Sequence, residues 1–240
     1  MSLHLRPVAV VAALAAVAAL QALPAHATVY DVHITGTLSG AWDNAGIFGP
    51  ARTLLNGKAF AIRYRVDDAV PGAYVFSNTP SERFTVGSAA TNPVLGWLTV
   101  NGITRQVQPL QGSFYVANNH GATPRDVMGI DARSDDFDGG TYYDDWISFS
   151  VFDASRSLVD GLSLPAALTD SVPGALSFNG NFRFQNSRAG YLASGEFNTT
   201  GFSITAQVPP PVPEPTTALL LAGGLAGLAW RRRALAVVQA

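Results

Sequence analysis

The sequence predicts an all-β domain with a β-sandwich as its leading architecture. Apolar and polar residues alternate with a period of two along several short segments, and turn-forming Asn-Gly and Pro-Gly pairs separate these segments. No segment shows the 3.6-residue period of an amphipathic helix. Sheets without covering helices must cover one another, which favours a sandwich whose jelly-roll-like or immunoglobulin-like topology stays open. A closed barrel is the alternative.

The clearest strand signal is Ala59–Asp67, where every second residue is apolar. Residues 30–35 alternate in the same way, and further candidate strands are 94–100, 113–117, 147–152, 178–184, 191–197 and 201–206. Asn101-Gly102 between two apolar segments predicts a tight hairpin. Asn179-Gly180 lies inside a candidate strand, where it predicts either a turn or a bulge. Residues 36–40 and 199–204 are candidates for the first and last strands.

The amino terminus has the features of a secretory signal. Residues 8–20 are almost entirely Ala, Val and Leu, and Ala25 and Ala27 place small residues at the two positions that a signal peptidase reads. We therefore expect a signal helix within residues 1–27, cleavage after Ala27, and a mature protein that begins at Thr28.

The carboxyl terminus combines a proline-rich linker, a short apolar segment and an arginine cluster. Residues 208–215 form the linker, and residues 216–233 are predicted to form a transmembrane helix, followed by a short tail at 234–240. Arginines resist translocation, so Arg231, Arg232 and Arg233 should stay on the cytoplasmic side as a membrane stop.

The order of these three parts resembles the PEP-CTERM sorting signal of Gram-negative bacteria. The family motif falls on Val212, Pro213, Glu214 and Pro215. The resemblance implies export and cleavage of the signal peptide by signal peptidase. It also implies anchoring in the inner membrane by the tail helix and processing near the motif by exosortase. The final location would be the cell surface or an extracellular polysaccharide matrix, as in a biofilm.

Residues 28–207 remain as one domain large enough to bury a core. From Thr28 to Val212 there are 16 acidic and 11 basic residues, so the mature chain is acidic and nucleic acid is not an expected partner. The sequence contains no cysteine, which excludes disulfides, thiolate catalysis and cysteine metal sites. The resemblance extends loosely to β-rich modules that precede this signal and that have no settled activity.

One stretch of the domain is strongly acidic, from Asp126 to Asp145. Two interpretations are open: a solvated loop between strands, or a calcium site, because calcium binds six to eight oxygen ligands. The candidate ligands are Asp131, Asp135, Asp136 and Asp138. Apart from this calcium, the sequence predicts no cofactor.

Aromatic residues lie at the end of the acidic stretch, and Tyr142, Tyr143 and Trp146 are candidates for stacking on sugar rings.

The sequence contains no nucleophile elbow, zinc-protease or phosphate-loop motif. Acid pairs for glycoside hydrolysis could come from Asp144 or Asp145 with Glu82 or Glu196. Because no catalytic sequence motif accompanies these acidic residues, we expect the protein not to be an enzyme. The sequence favours a structural or adhesive surface protein; a carbohydrate-binding module is the alternative, and a polysaccharide-acting enzyme a weaker one.

Overall fold

The computed structural model describes residues 28–77, 79–121, 124–138, 141–155, 157–169, 176–186 and 190–207. These residues belong to one compact unit, Ala27–Val208. Residues 1–27 and 208–240 lie outside the described residues. The predicted signal helix and transmembrane helix fall there. Within the described ranges, no helix has the length and apolar character needed to cross a membrane.

The described residues are built almost entirely from antiparallel strands, which confirms the all-β prediction. A single turn of 3₁₀-helix covers Ala89–Thr91. The strands are β1 (Val29–Asp43), β2 (Thr53–Leu54), β3 (Ala59–Asp67), β4 (Tyr74–Phe76), β5 (Glu82–Ser88), β6 (Val94–Val100), β7 (Ile103–Gln106), β8 (Gln111–His120), β9 (Arg125–Asp138), β10 (Thr141–Asp153), β11 (Ala167–Thr169), β12 (Leu176–Asn186) and β13 (Gly190–Gln207).

The strands form one continuous hydrogen-bonded sheet, in the order β4-β5-β8-β9-β10-β12-β13-β1-β3-β6-β7. The short strands β2 and β11 pair with β1 and β13. The first and last strands, β1 and β13, are neighbours and pair along most of their length. A sandwich of two separate sheets is therefore not confirmed, because the described ladder is unbroken.

The sheet curls so that its two halves pack face to face. The Tyr64 hydroxyl on β3 donates to the Ile147 carbonyl on β10, with 3.1 Å between the oxygens. A Cβ atom on Gly96 of β6 would lie only 2.6 Å from the Ala132 Cβ on β9. Such a close approach between β6 and β9 requires glycine. The apolar core fills the space between the halves, and residues that alternate with the core residues line the outer face.

Two of the predicted turn signals have different outcomes. At Asn101-Gly102 the chain makes the predicted hairpin between β6 and β7, with positive φ angles of 52° and 76° that suit this pair. Asn179-Gly180 is instead the interior of β12, in regular register with β10. Glycine is needed there because a Cβ atom on Gly180 would lie 2.7 Å from the Ser148 carbonyl oxygen.

Candidate functional site

A groove crosses the outer face of five neighbouring strands, β5, β8, β9, β10 and β12. It encloses a cavity of about 400 Å³. The register of the sheet creates this groove, since Val86, Ser113, Asp131, Ser148 and Asn181 are successive cross-strand partners and so form one row. The complete lining is Phe84, Val86, Gln111, Gly112, Ser113, Asp131, Arg133, Trp146, Ser148 and Asn181.

The floor of the groove is polar. A carboxylate, two hydroxyls and an amide lie side by side in the row, and the Ser113 hydroxyl donates to Asp131 Oδ2 at 3.1 Å. Asn181 Oδ1 accepts a hydrogen bond from Trp146 Nε1 at 2.8 Å. The floor therefore presents both donors and acceptors to a molecule in the groove.

Trp146 lies in the groove between two arginines of neighbouring strands. The Arg183 guanidinium carbon is 3.7 Å from the centre of the indole ring, and that of Arg133 is 5.6 Å away. Both arginines pair with Asp144, whose exposed fraction is 4 %. Burying this carboxylate would be costly without such partners. Asp144 thus anchors the two guanidinium groups that position the indole.

A second cavity, of about 270 Å³, lies on the other side of Trp146. It shares Trp146 and Asn181 with the first cavity and extends over β12 and β13 to Ser194 and Glu196, reaching Gly40 on β1. The groove therefore continues across the strands, with the indole at the boundary between its two parts.

At the opposite end, an aromatic strip leads out of the groove. Phe84 lines the first cavity, and its ring centre is 5.0 Å from that of Phe76 on β4 and 5.9 Å from that of Tyr115 on β8. Tyr74, with an exposed fraction of 69 %, continues the strip at 5.5 Å from Phe76. Aromatic side chains at this exposure on an edge strand offer contact area to a ligand.

Residues 211–233 match the family model of the PEP-CTERM protein-sorting motif. The chain carries a PEP-CTERM sorting motif. The match includes Val212, Pro213, Glu214, Pro215 and the three arginines 231–233, so the resemblance found in the sequence is confirmed. No curated protein and no solved structure matches the chain.

The PEP-CTERM motif implies that the protein is exported and that exosortase processes it at the membrane. Its residues lie outside the described part of the chain, as do Ala25 and Ala27 of the expected signal cleavage site. Thr28, the expected first residue of the mature protein, is described, and its backbone N–H donates to Asp68 Oδ1 at 2.9 Å.

Of the predicted ligand-binding residues, Asp131 and Trp146 lie together in the groove. Asp135, Asp136 and Asp138 belong to β9, and Tyr142 and Tyr143 belong to β10, but their side chains lie outside the described residues. Within the described ranges, no group of three His, Asp or Glu side chains could hold a metal. The calcium site therefore stays a prediction.

The interpretation of the acidic stretch as a solvated loop is wrong. β9 and β10 pair in regular register from Asp126 with Asp153 to Asp138 with Thr141. Neighbouring residues on a strand point to opposite faces. Asp144 accordingly pairs with the outer-face arginines, whereas Asp145 accepts a hydrogen bond from the Gln185 N–H at 3.1 Å. Burial raises the pKa of Asp145, and the nearby Asp144 carboxylate raises it further.

A separate polar cluster lies at the end of β8. His120 Nδ1 is 3.0 Å from Glu82 Oε1 and 3.3 Å from the Tyr115 hydroxyl. Burial, with the Glu82 carboxylate beside it, raises the pKa of the Tyr115 hydroxyl. The sequence did not point to this cluster, nor to Ser113, Ser148 and Asn181 in the groove, because only the pairing of distant strands brings these residues together.

Proposed function

We propose that this exported protein is a structural or adhesive component of the cell surface or extracellular matrix. Its β domain binds a carbohydrate polymer in the outer-face groove and does not catalyse a reaction. The observation that carries the proposal is the groove itself, where Trp146 lies beside a row of hydroxyl, carboxylate and amide groups.

Carbohydrate suits the chemistry of this groove. A sugar ring has apolar C–H faces and a rim of hydroxyl groups, so it needs aromatic surface together with both donors and acceptors. Phe84 and Trp146 supply the aromatic surface, while Asp131, Ser148 and Asn181 supply the polar partners. Binding sites commonly combine apolar walls with a few placed polar groups in this way.

A polymer suits the shape of the groove better than a single sugar. The groove crosses six strands from β5 to β13, and strands lie about 4.8 Å apart, so its length is about 24 Å. Two cavities in line, sharing Trp146, would accommodate consecutive units of one chain. The aromatic strip at Phe76 and Tyr74 extends the available surface beyond the edge of the cavity.

A binding role also fits the state of the acidic side chains. Asp144, one of the candidates for acid catalysis, is buried and paired with Arg133 and Arg183. Glu82 pairs with His120. Asp144 is thus held between the guanidinium groups of two neighbouring strands, which supports positioning rather than proton transfer.

The test is retention of the protein on the host's immobilised extracellular polysaccharide. Replacing Trp146 with alanine removes the indole shared by the two cavities, and we expect binding to weaken at least tenfold, about 1.4 kcal/mol. Arg65→Ala is the control, because this exposed residue lies on β3 and lines neither cavity. Equal retention of Trp146→Ala and the unaltered protein would contradict the groove as the binding site. A folded protein that is not retained at all would refute carbohydrate binding.

A further inference from the structure

A third cavity lies on the outer face of the other half of the sheet. It has a volume of about 220 Å³ and is formed by β1, β3, β6 and β7. Cross-strand pairing places His33, Arg63 and Trp97 in one row. Ala61, Thr99 and Thr104 form the adjacent row. All six residues line the cavity.

The chemistry of this cavity repeats that of the groove. The Arg63 guanidinium carbon is 5.6 Å from the centre of the Trp97 ring, and the same guanidinium pairs with Asp31 at 3.0 Å. A tryptophan, a cross-strand arginine and an aspartate that anchors the arginine thus occur together on both halves of the sheet, with Trp146, Arg183 and Asp144 as the other set.

Polar groups lie beside Trp97, as they lie beside Trp146 in the groove. The Thr99 and Thr104 hydroxyls are 2.8 Å apart on neighbouring strands, and the exposed His33 contributes ring nitrogens. The cavity therefore offers aromatic surface together with hydroxyl and imidazole groups, which are the features that a sugar unit requires.

The two sites face away from each other. Core contacts between Tyr64 and Ile147, and between Gly96 and Ala132, join the inner faces of the two halves. Trp97 and Trp146 belong to the opposite, outer faces of those halves. A polymer chain lying in the groove is therefore on the other side of the core from the third cavity.

From this arrangement we propose that the third cavity is a second carbohydrate site and that one domain bridges two polymer chains. This inference rests on the proposed function, because both sites take the same class of ligand. Bridging explains how a small domain without disulfides would strengthen a matrix: each molecule adds a non-covalent cross-link between chains.

The test separates bridging from binding by using two forms of the host's extracellular polysaccharide. One form is immobilised on beads, and the other is soluble and fluorescently labelled. The exported protein should be retained on the beads and should capture the labelled polymer. With Trp97→Ala we expect retention to persist and capture to fall at least tenfold. Trp146→Ala should also lose capture and should keep only the weaker retention that the Trp97 cavity provides. Arg65→Ala should behave as the unaltered protein.

Two further variants distinguish a loss of binding from a loss of folding. Trp97→Phe keeps an aromatic ring and should restore part of the capture. Ala61→Gln fills the cavity from an exposed position and should abolish capture while the melting temperature is unchanged. Normal capture by Trp97→Ala and by Ala61→Gln would overturn the second site and leave the proposed function intact. Absence of any retention by the unaltered protein would instead overturn both.

Discussion

The packing of β6 against β9 can be tested by exchanging one methyl group between Gly96 and Ala132. Both residues are buried, and a Cβ atom on Gly96 would lie 2.6 Å from the Ala132 Cβ and 3.2 Å from Cε1 of Tyr64. Carbon atoms pack at about 3.5–4.0 Å. The variant Gly96→Ala must therefore push the two halves of the sheet apart, whereas Gly96→Ala combined with Ala132→Gly keeps one methyl group in the contact.

The expected free energies follow from this geometry. Overpacking by one methyl group costs about 1–3 kcal/mol, and replacing glycine within a strand recovers about 0.5–1 kcal/mol. We therefore expect Gly96→Ala to destabilise the domain by about 1–2 kcal/mol. Ala132→Gly loses about 0.8 kcal/mol of methyl burial and adds the glycine entropy cost, for about 1.5 kcal/mol in all. The double variant should lie within about 1 kcal/mol of the unaltered protein.

Urea unfolding followed by tryptophan fluorescence measures all four members of this cycle. The predicted coupling free energy is about 2 kcal/mol, which is within the range of about 0.5–3 kcal/mol found for residues in contact. Equal m-values across the four proteins would show that each exposes the same amount of surface on unfolding, so that their free energies can be compared. If the two single effects simply add, Gly96 and Ala132 are not in contact and the curled arrangement of the sheet is refuted.

Three other predictions concern two carboxylates and the processing of the chain. Burial raises the pKa of Asp145, so its charged form destabilises the folded protein at neutral pH. Asp145→Asn should therefore raise the free energy of unfolding at pH 7. This gain should disappear below about pH 4, where the carboxyl group is protonated in the folded and unfolded states. Burial raises the pKa of Asp153, but hydrogen bonds from Ser155 and Ser157 outweigh burial, so that the net pKa is lowered. Asp153→Asn should therefore reduce the free energy of unfolding by about 2 kcal/mol at pH 7. This loss should shrink as the pH falls through the lowered pKa. Denaturation curves from pH 7 to pH 3 measure the free energy of unfolding of each variant. If the two substitutions change this free energy equally and in the same direction, the opposite pKa shifts of Asp145 and Asp153 are contradicted. Intact-mass spectrometry of membrane and extracellular fractions of the host should find a species that begins at Thr28 and ends near Pro215. The variant Glu214→Ala should instead keep its full tail and stay in the membrane fraction. A full-length tail in the unaltered protein would refute processing.

The parts of this molecule that sequence could predict depend on local patterns. The alternation in Ala59–Asp67 identified β3, and the Asn101-Gly102 pair identified the hairpin after β6, because strand burial and turn conformation are set by a few adjacent residues. The sorting motif at 211–233 is equally local. Each of these predictions is confirmed.

The groove could not be predicted in the same way, because its residues come together only through long-range pairing. Ser113 and Asn181 are far apart in sequence, and the row that joins them depends on the register of three successive strand pairs. A shift of one residue in any pair would turn a side chain to the opposite face. The loop interpretation of the acidic stretch is wrong for a related reason. Aspartate favours loops when it stands alone, but Arg133 and Arg183 on neighbouring strands stabilise Asp144 within a sheet.

The position of the groove on strands has a consequence for binding. Its row from Ser113 to Asn181 is fixed by ladder hydrogen bonds on both sides of each strand, and the Trp146 ring is held by Asn181 and Arg183. A site fixed in this way loses little conformational entropy when a ligand binds. If the groove binds a carbohydrate polymer as proposed, each sugar unit needs only weak contacts. Binding of one unit raises the effective concentration of the next unit of the same chain at its part of the groove. Avidity along the groove would therefore give firm attachment to a polymer, even if the groove holds a single sugar only weakly.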